Sequence, residues 1–463
     1  MMTAGIAGTA GRWFGVGLML AAVGCGDDEK PPPPCSVEAQ TGCDVGLVCE
    51  MIENGETACF APVIVTGRVL DASNLNMGVE AARVVALDAN GAVVSRDVAI
   101  SDADGHYSLN FPAVRAEDGT PTLGVFSLRA DAAGYATFPS GLRVALPVDV
   151  AAPSDEGEDG YLVENATTDV ALDPLPENSG LGSISGTVTP DGAAGTLVVA
   201  DGQSGLAAPD GSFEVFNVSA GSHEVRGYKH GLQLTPVNAE VTSDEETSGV
   251  NLDAADGALA TVSGSVNFVN AGSQMTTVVL VVKSTFNTAL TRGETPFGLR
   301  DSDVGGQWEI SDVPAGDYIV LAAFENDDLV RDPDTSIGGT AIQEITVANA
   351  AVDVESFKIT GALEVLSPGV DGPEVVTGTP TFEWVDDSSE DGYELTVYNT
   401  FGEIVWSDMN VARVTGGNVA VPYAGPTLSP GYYQFRVLSW RDQQGGRTYI
   451  SATEDLRGVF ILE

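Results

Sequence analysis

Apart from carboxylates, the residues able to do chemistry in this chain of 463 are few. There are three histidines. His106 follows an Asp-Gly turn, and if its neighbour Tyr107 faces a core, His106 faces water. His223 and His230 come later, His230 in the polar stretch Tyr228-Lys229-His230. No Gly-x-Ser-x-Gly elbow, phosphate-binding loop or His-Glu-x-x-His pair accompanies them. Surface histidines are the expectation, and no catalytic residue is assigned. Carboxylates are abundant, at 66, so some lie close by chance. A glycosidase pair would also need an apolar pocket to raise one pKa. Calcium suits the acidic loops better, since it takes about six to eight oxygens. Asp102 and Asp104 offer such a loop, as do Asp386, Asp387 and Asp391, and a third runs from Asn326 to Asp334. None follows the EF-hand pattern. The plain alternative is a solvated acidic turn, Asp-Gly being a common hairpin turn. Trp406 and Trp440 are candidate sugar-stacking platforms, set against burial at a domain junction.

Cysteine chemistry is confined to one place. Cys35, Cys43, Cys49 and Cys59 lie close together, and no cysteine follows them. An even number in an exported chain implies two disulfides, with all three pairings open. A zinc knob is the competing reading, but the spacing has no Cys-x-x-Cys pair and no nearby histidine. The balance of 20 basic and 66 acidic residues gives a net charge of −46, which excludes non-specific nucleic-acid binding.

The fifth cysteine belongs to an address. Arg12 precedes an apolar run, Trp13–Val23, shorter than the about 20 residues a bilayer-spanning helix needs. The run ends in Ala21-Ala22-Val23-Gly24-Cys25. These small residues before a cysteine resemble the lipobox of bacterial lipoproteins, with Ala22 where leucine is commoner. The resemblance implies cleavage after Gly24 and lipid on Cys25. An ordinary secretory peptide is the alternative. Residues 25–34, acidic and then proline-rich, form a stiff extended tether. Gly26 follows Cys25, so an inner-membrane retention aspartate is missing and the outer membrane of a Gram-negative envelope is the expected destination.

The elements that position these residues are repeats. Val65-Thr66-Gly67-Arg68-Val69, Ile184-Ser185-Gly186-Thr187-Val188 and Val262-Ser263-Gly264-Ser265-Val266 are alternating strands with a central glycine. Such a glycine permits a bulge or a close backbone approach. Each is followed by a turn and an aromatic strand, beginning Asp104-Gly105-His106-Tyr107, Asp210-Gly211-Ser212-Phe213 and Gly305-Gly306-Gln307-Trp308. The second and third repeats also share Asn217-Val218-Ser219-Ala220-Gly221 and Asp312-Val313-Pro314-Ala315-Gly316. Together these resemble carboxypeptidase regulatory-like domains, small prealbumin-like β-sandwiches. The resemblance implies a structural or binding appendage and carries no peptidase activity.

After residue 361 the pattern changes. Phe382 and Trp384 alternate in one strand, Tyr393–Tyr398 form another, and Leu428-Ser429-Pro430 leads to Tyr433. This resembles a fibronectin type III module with Tyr433 as its tyrosine corner, the proline-to-tyrosine spacing being one residue short.

Helical periodicity is nearly absent, so the expected class is all-β, with tandem sandwiches after a disulfide-rich segment. The expected divisions are a signal peptide 1–24, a tether 25–34, a Cys-rich module 35–62, three sandwiches at 63–174, 182–254 and 258–361, and a fibronectin-like sandwich at 363–463. The expected role is a non-enzymatic, lipid-anchored envelope protein, its sandwiches strung in a row as spacer, adhesive or scaffold. Its membrane contact would be the lipid, and its partner a glycan or another envelope protein. A module binding carbohydrate or peptidoglycan fragments is the alternative, and an enzyme with catalytic residues in its long loops comes last.

Overall fold

The computed structural model describes residues 35–463 apart from 38–39, 89–92, 96, 124–125, 140–147, 149, 151–159, 166, 177–179, 191, 270–273, 289–290, 323–327, 388, 401, 444–445 and 455–456. The expected signal segment, Cys25 and the expected tether lie outside the described residues, as do residues 326–327 of the third acidic loop. Within the described residues the chain is all β, with one short 3-10 turn at Lys283–Thr285.

Three sheets are built on the repeated glycine strand. Val63–Asp71, Leu181–Val188 and Ala260–Val269 each run antiparallel to the aromatic strand that follows the turn, namely His106–Phe111, Ser212–Ser219 and Gln307–Val313. Each also runs parallel to the strands that close its unit. The register sets each glycine opposite the aromatic: Gly67 with Tyr107, Gly186 with Phe213, Gly264 with Trp308. At Gly186 and Gly264 the missing side chain gives the ring its room, and the ring covers the bare backbone. At Gly186 the parallel strand presses in as well, for a β-carbon there would stand 1.6 Å from the Val250 carbonyl oxygen. Two residues on, a valine N–H reaches the turn glycine in all three units: Val69 to Gly105, Val188 to Gly211, Val266 to Gly306. A second sheet faces each of these. Its central strands, Arg83–Asp88, Leu197–Ala200 and Thr276–Val282, are β-branched and close a buried apolar core.

The fourth unit differs. A three-stranded sheet of Val365–Ser367, Thr381–Val385 and Asn418–Pro422 faces a six-stranded sheet centred on Gly431–Gln443. Its core is aromatic, with Phe382, Trp384, Tyr393, Phe435 and Phe460 fully buried. Phe382 and Trp384 share the inner face, as their alternation requires. The Tyr433 hydroxyl donates to the Ser429 carbonyl at 2.8 Å, bracing the turn before its strand.

The sandwiches do not stand in a row. Adjacent ones are joined by a device used twice. The strands Ser212–Ser219 and Gln307–Val313 each carry an extra residue at the same place, where the register shifts. There Asn217 and Asp312 adopt left-handed backbone, at φ 61° and 50°. Asn217 Oδ1 accepts the Gly134 N–H at 2.6 Å, and its Nδ2 donates to the Ala132 and Tyr135 carbonyls. One unit later, the Gly231 N–H donates to the Asp312 carbonyl at 2.9 Å. Leu197, Val199 and Tyr228 of the second unit belong to the same apolar cluster as the third unit's core. Longer-range links close the arrangement. Arg129 of the first sandwich holds Glu294 of the third at 3.1 Å, and Thr400 of the fourth donates to Asp173 of the first at 2.9 Å.

The cysteine segment is also fixed in place. Cys35 pairs with Cys49 and Cys43 with Cys59, which selects one of the three pairings. Its hairpin, Val48–Ile52 with Thr57–Phe60, adds to Val114–Arg115 of the first sandwich in parallel register. Glu50 is fully buried there, with Oε2 2.6 Å from Arg115 Nε and Oε1 accepting the Ala113 N–H at 3.0 Å. Arg115 Nη1 and Nη2 donate to the Gly119 and Ala61 carbonyls. A buried ion pair is tolerated only when its polar atoms are satisfied in this way.

The repeated glycine is testable. Gly186→Ala is expected to lower stability by at least about 3 kcal/mol, because backbone must move to admit a methyl group. Gly305→Ala, whose β-carbon would meet nothing within 4 Å, is expected to cost less than about 0.5 kcal/mol. Urea melts of the two variants check this, and equal midpoints would refute the account.

Candidate functional site

The junction between the third and fourth sandwiches is where loops, charge and cavities coincide. The strand Phe357–Gly361 runs on into Ala362 and Leu363, and the Leu363 N–H donates to the Ala452 carbonyl of the fourth unit at 2.8 Å. The Asp328 N–H donates to Glu454 Oε1 across the same seam at 2.8 Å. Lys358 is fully buried, 3.4 Å from Asp332, and also donates to the Asp334 carbonyl. Two cavities open here, and Asp332 lines both.

The first cavity has a volume of about 420 Å³ and is acidic, lined by Asp332, Asp334, Glu364, Asp386 and Asp387, with Arg441 as its cation. The fold therefore brings two of the five predicted calcium ligands, Asp386 and Asp387, to a cavity. Their oxygens are already engaged. Asp386 Oδ1 accepts the Tyr393 hydroxyl at 2.9 Å. Asp387 Oδ1 accepts from Ser389, and its Oδ2 accepts from Ser439. Asp391 caps the Asp442 N–H at 2.8 Å instead. Asp102 and Asp104 stand in a different sandwich. Asp102 Oδ1 accepts the Asp104 and His106 N–H groups, as an aspartate that closes a hairpin turn does. These bonds hold the Asp102 carboxyl below its ordinary pKa, the His106 N–H contributing most. Within the described residues no three carboxylates converge tightly enough to share an ion. The one convergent set is Cys35, Cys43 and Cys49, whose sulfurs are taken up in disulfides, so the zinc reading is closed. Among the described residues, neither the Asp102 loop nor the Asp386 loop gathers three carboxylates.

The tryptophan platforms are also corrected. Trp440 does lie on the outer face of its strand, but it is 8% exposed. The Arg447 guanidinium covers its ring at 4.0 Å and is itself held by Glu394 and Asn410. Trp406 packs on Phe382 and Tyr423, half-buried against the fourth core. Neither ring offers an open face for a sugar.

One constellation escaped sequence reasoning. Ser219 Oγ lies 3.3 Å from His223 Nε2, and His223 Nδ1 lies 3.5 Å from Asp201 Oδ1. The proton arrangement is wrong for a nucleophile. Ser219 Oγ donates to Asp201 Oδ2 at 2.5 Å, and His223 Nε2 donates to the Ser219 carbonyl at 2.8 Å, so this nitrogen cannot take the serine proton. The hairpin joining Ser212–Ser219 to Gly221–Tyr228 brings Ser219 and His223 together. His106 is exposed, as its place beside buried Tyr107 implies, and His230 lies 4.0 Å from Asp312 at the joint with the third unit.

Beside the acidic cavity, Glu390 is 1% exposed and its Oε2 has no hydrogen-bond partner. Burial, then the negative charge of Asp386 and Asp387, pushes its pKa up, and only its protonated form can donate to Asp386.

No protein-family model matches the chain, and no curated protein matches it. Solved structures of low similarity do. The Bacillus anthracis TIE protein is 12% identical over 82% of this chain and 68% of its own, with a TM-score of 0.15. A DUF3823 family protein from Bacteroides uniformis is 12% identical over 42% of this chain and 97% of its own, at 0.19. GBS52, the minor pilin of Streptococcus agalactiae, is 12% identical over 42% of this chain and its full length, at 0.19. Scores at this level carry no argument about the present chain, whose fold stands on its own strand register.

The Glu390 carboxyl gives a signed pH prediction. With its pKa raised in the folded state, Glu390 favours the fold fully below the ordinary carboxyl range and loses that contribution as pH rises through the raised value. Glu390→Gln keeps a donor for Asp386 without charge. It is expected to be more stable than the parent at about pH 8, by about 1–3 kcal/mol, the usual cost of an unsatisfied buried polar group. The gain should shrink towards about pH 4.5. Denaturant melts at both values check the sign, and a gain that grows on acidification would refute it.

Proposed function

We propose that the protein is a non-enzymatic, lipid-anchored component of a Gram-negative cell envelope, in which a joined body of sandwiches acts as a scaffold. The observation that carries this reading is the joint between sandwiches. The same bulge links the first to the second and the second to the third, and Arg129 ties the first to the third. Such links suit a body that presents a fixed surface rather than a flexible spacer. The first three units are read as carboxypeptidase regulatory-like and the fourth as fibronectin type III-like. For the fourth, the Tyr433 bond to Ser429 and the buried Trp384 support the reading.

The anchor rests on the residues around Cys25. Several acyl chains would hold the body durably at the outer membrane, whereas one chain binds only marginally. The acidic, proline-rich tether would set it off the bilayer, entering at Cys35 of the disulfide module.

Detergent-phase partitioning of the expressed protein tests this. The parent is expected in the detergent phase and Cys25→Ala in the aqueous phase. Partitioning that survives the substitution would overturn the anchor. Protease shaving of intact cells then assigns the side of the membrane, since loss of the chain places it outside and protection places it in the periplasm.

A further inference from the structure

Methionine is among the residue types most often fully buried, and its flexible thioether commonly fills gaps in cores. Here it fills none. Of seven methionines, Met1, Met2 and Met19 lie in the expected signal segment. The other four are all exposed, from 44% at Met409 to 55% at Met275, with Met51 and Met77 between. None belongs to an apolar cluster of the described residues. They are spread over the body. Met51 lies on Val48–Ile52 of the disulfide module, next to Glu50, and by alternation faces away from the buried Glu50–Arg115 pair. Met77 lies in Asn74–Gly78 of the first sandwich, whose first four residues are all exposed. Met275 leads into Thr276–Val282 of the third, and Met409 lies in Ile404–Ala412, an edge strand of the fourth.

A thioether takes one oxygen from a two-electron oxidant and becomes a sulfoxide. Its competitors in this chain are withdrawn. A thiolate would react readily, but Cys35, Cys43, Cys49 and Cys59 are all held in disulfides. Trp308, Trp384 and Trp440 are buried, and Trp406 is half-buried. Among the described residues, the four thioethers are therefore the most accessible soft nucleophiles. Their product is also tolerated where they stand. A sulfoxide inside a core would force a polar group into apolar packing, whereas at these four places it faces water.

We propose that Met51, Met77, Met275 and Met409 are oxidation sites that together form a sink for two-electron oxidants of the hypochlorous acid class, and that the fold survives their conversion. In each step the sulfur lone pair attacks chlorine and displaces hydroxide. Water then replaces chloride on sulfur and loses its protons. Sulfur gives up two electrons and gains one oxygen, and chlorine leaves as chloride with one net proton. The sites are independent of the anchoring and scaffold reading and would survive its failure.

Stepwise titration of the full-length chain with hypochlorous acid, followed by peptide mapping, tests this. Each of the four methionines should gain about 16 Da, the mass of one oxygen, before Trp406 is modified. The urea midpoint of the fully oxidised protein should match that of the untreated protein. A pair of methionine sulfoxide reductases, one for each epimer, should remove the oxygens from the folded chain. A variant combining Met51→Leu, Met77→Leu, Met275→Leu and Met409→Leu keeps side-chain volume and removes the sulfur. In it, oxidation of Trp406 should begin about four equivalents of oxidant earlier, one for each lost thioether. Circular dichroism confirms that the variant is folded, and the map and melt of the parent decide the matter if it is not. Resistance of any of the four methionines until urea unfolds the chain would overturn the proposal. So would a lowered midpoint after oxidation, or an unchanged onset of Trp406 oxidation in the folded variant.

Discussion

Arg129 is the contact on which the arrangement of the first three sandwiches turns. Its guanidinium is 3% exposed and faces Asp131 with Nε and Nη2, and Glu294 with Nη1. Ser204 of the second unit completes the set, donating to Glu294 at 3.0 Å. Burial alone would lower the pKa of Arg129, but the two carboxylates outweigh it and hold the group above its ordinary value. One cation thus binds acids from two sandwiches and a hydroxyl from a third. Removing both carboxylates would leave a buried charge without compensation, which is far more costly than never burying it.

The same economy governs the other cations. Arg115 locks the disulfide module to the first sandwich, Lys358 sits at the third seam, and Arg447 lies over Trp440 between Glu394 and Asn410. The carboxylates that meet these cations are buried with them, as Glu50, Asp332 and Glu394 are, whereas others close turns, as Asp102 and Asp387 do. The net charge of −46 is therefore unevenly distributed. Many of the scarce cations lie in joints, while the excess of acid coats loops, where like-charge repulsion discourages the edges of sheets from pairing with other copies.

Much of the fold was legible. The glycine strand, the turn and the aromatic strand recur in order, and the alternation of Phe382 and Trp384 matches their shared burial. The glycine was read as allowing a bulge or a close approach. Backbone approaches closely at Gly67 and Gly186, the latter beside a register shift of the parallel strand, while at Gly264 the Trp308 ring takes the space. The shared Asn217 and Asp312 stretches were visible as similarity, but their use as hooks on the preceding sandwich was not. That use depends on a left-handed residue meeting a glycine N–H from another unit. The candidate site was less legible still. Asp386 and Asp387 were picked out for calcium, whereas their oxygens serve Tyr393, Ser389 and Ser439.

Strand period, turn chemistry and cysteine count act over a few residues, so composition and pattern settle them. All-β class, repeated units and an oxidised module follow from these alone. Which charge meets which is a different matter. Arg129 and Glu294 are 165 residues apart, Thr400 and Asp173 are 227 apart, and Arg331 shares a cavity with Arg436 only because two sandwiches close on each other. A side chain's electrostatic partner is set by packing across the whole chain. The disulfide pairing, the joined arrangement in place of a row and the covering of Trp440 were accordingly decided by tertiary contact.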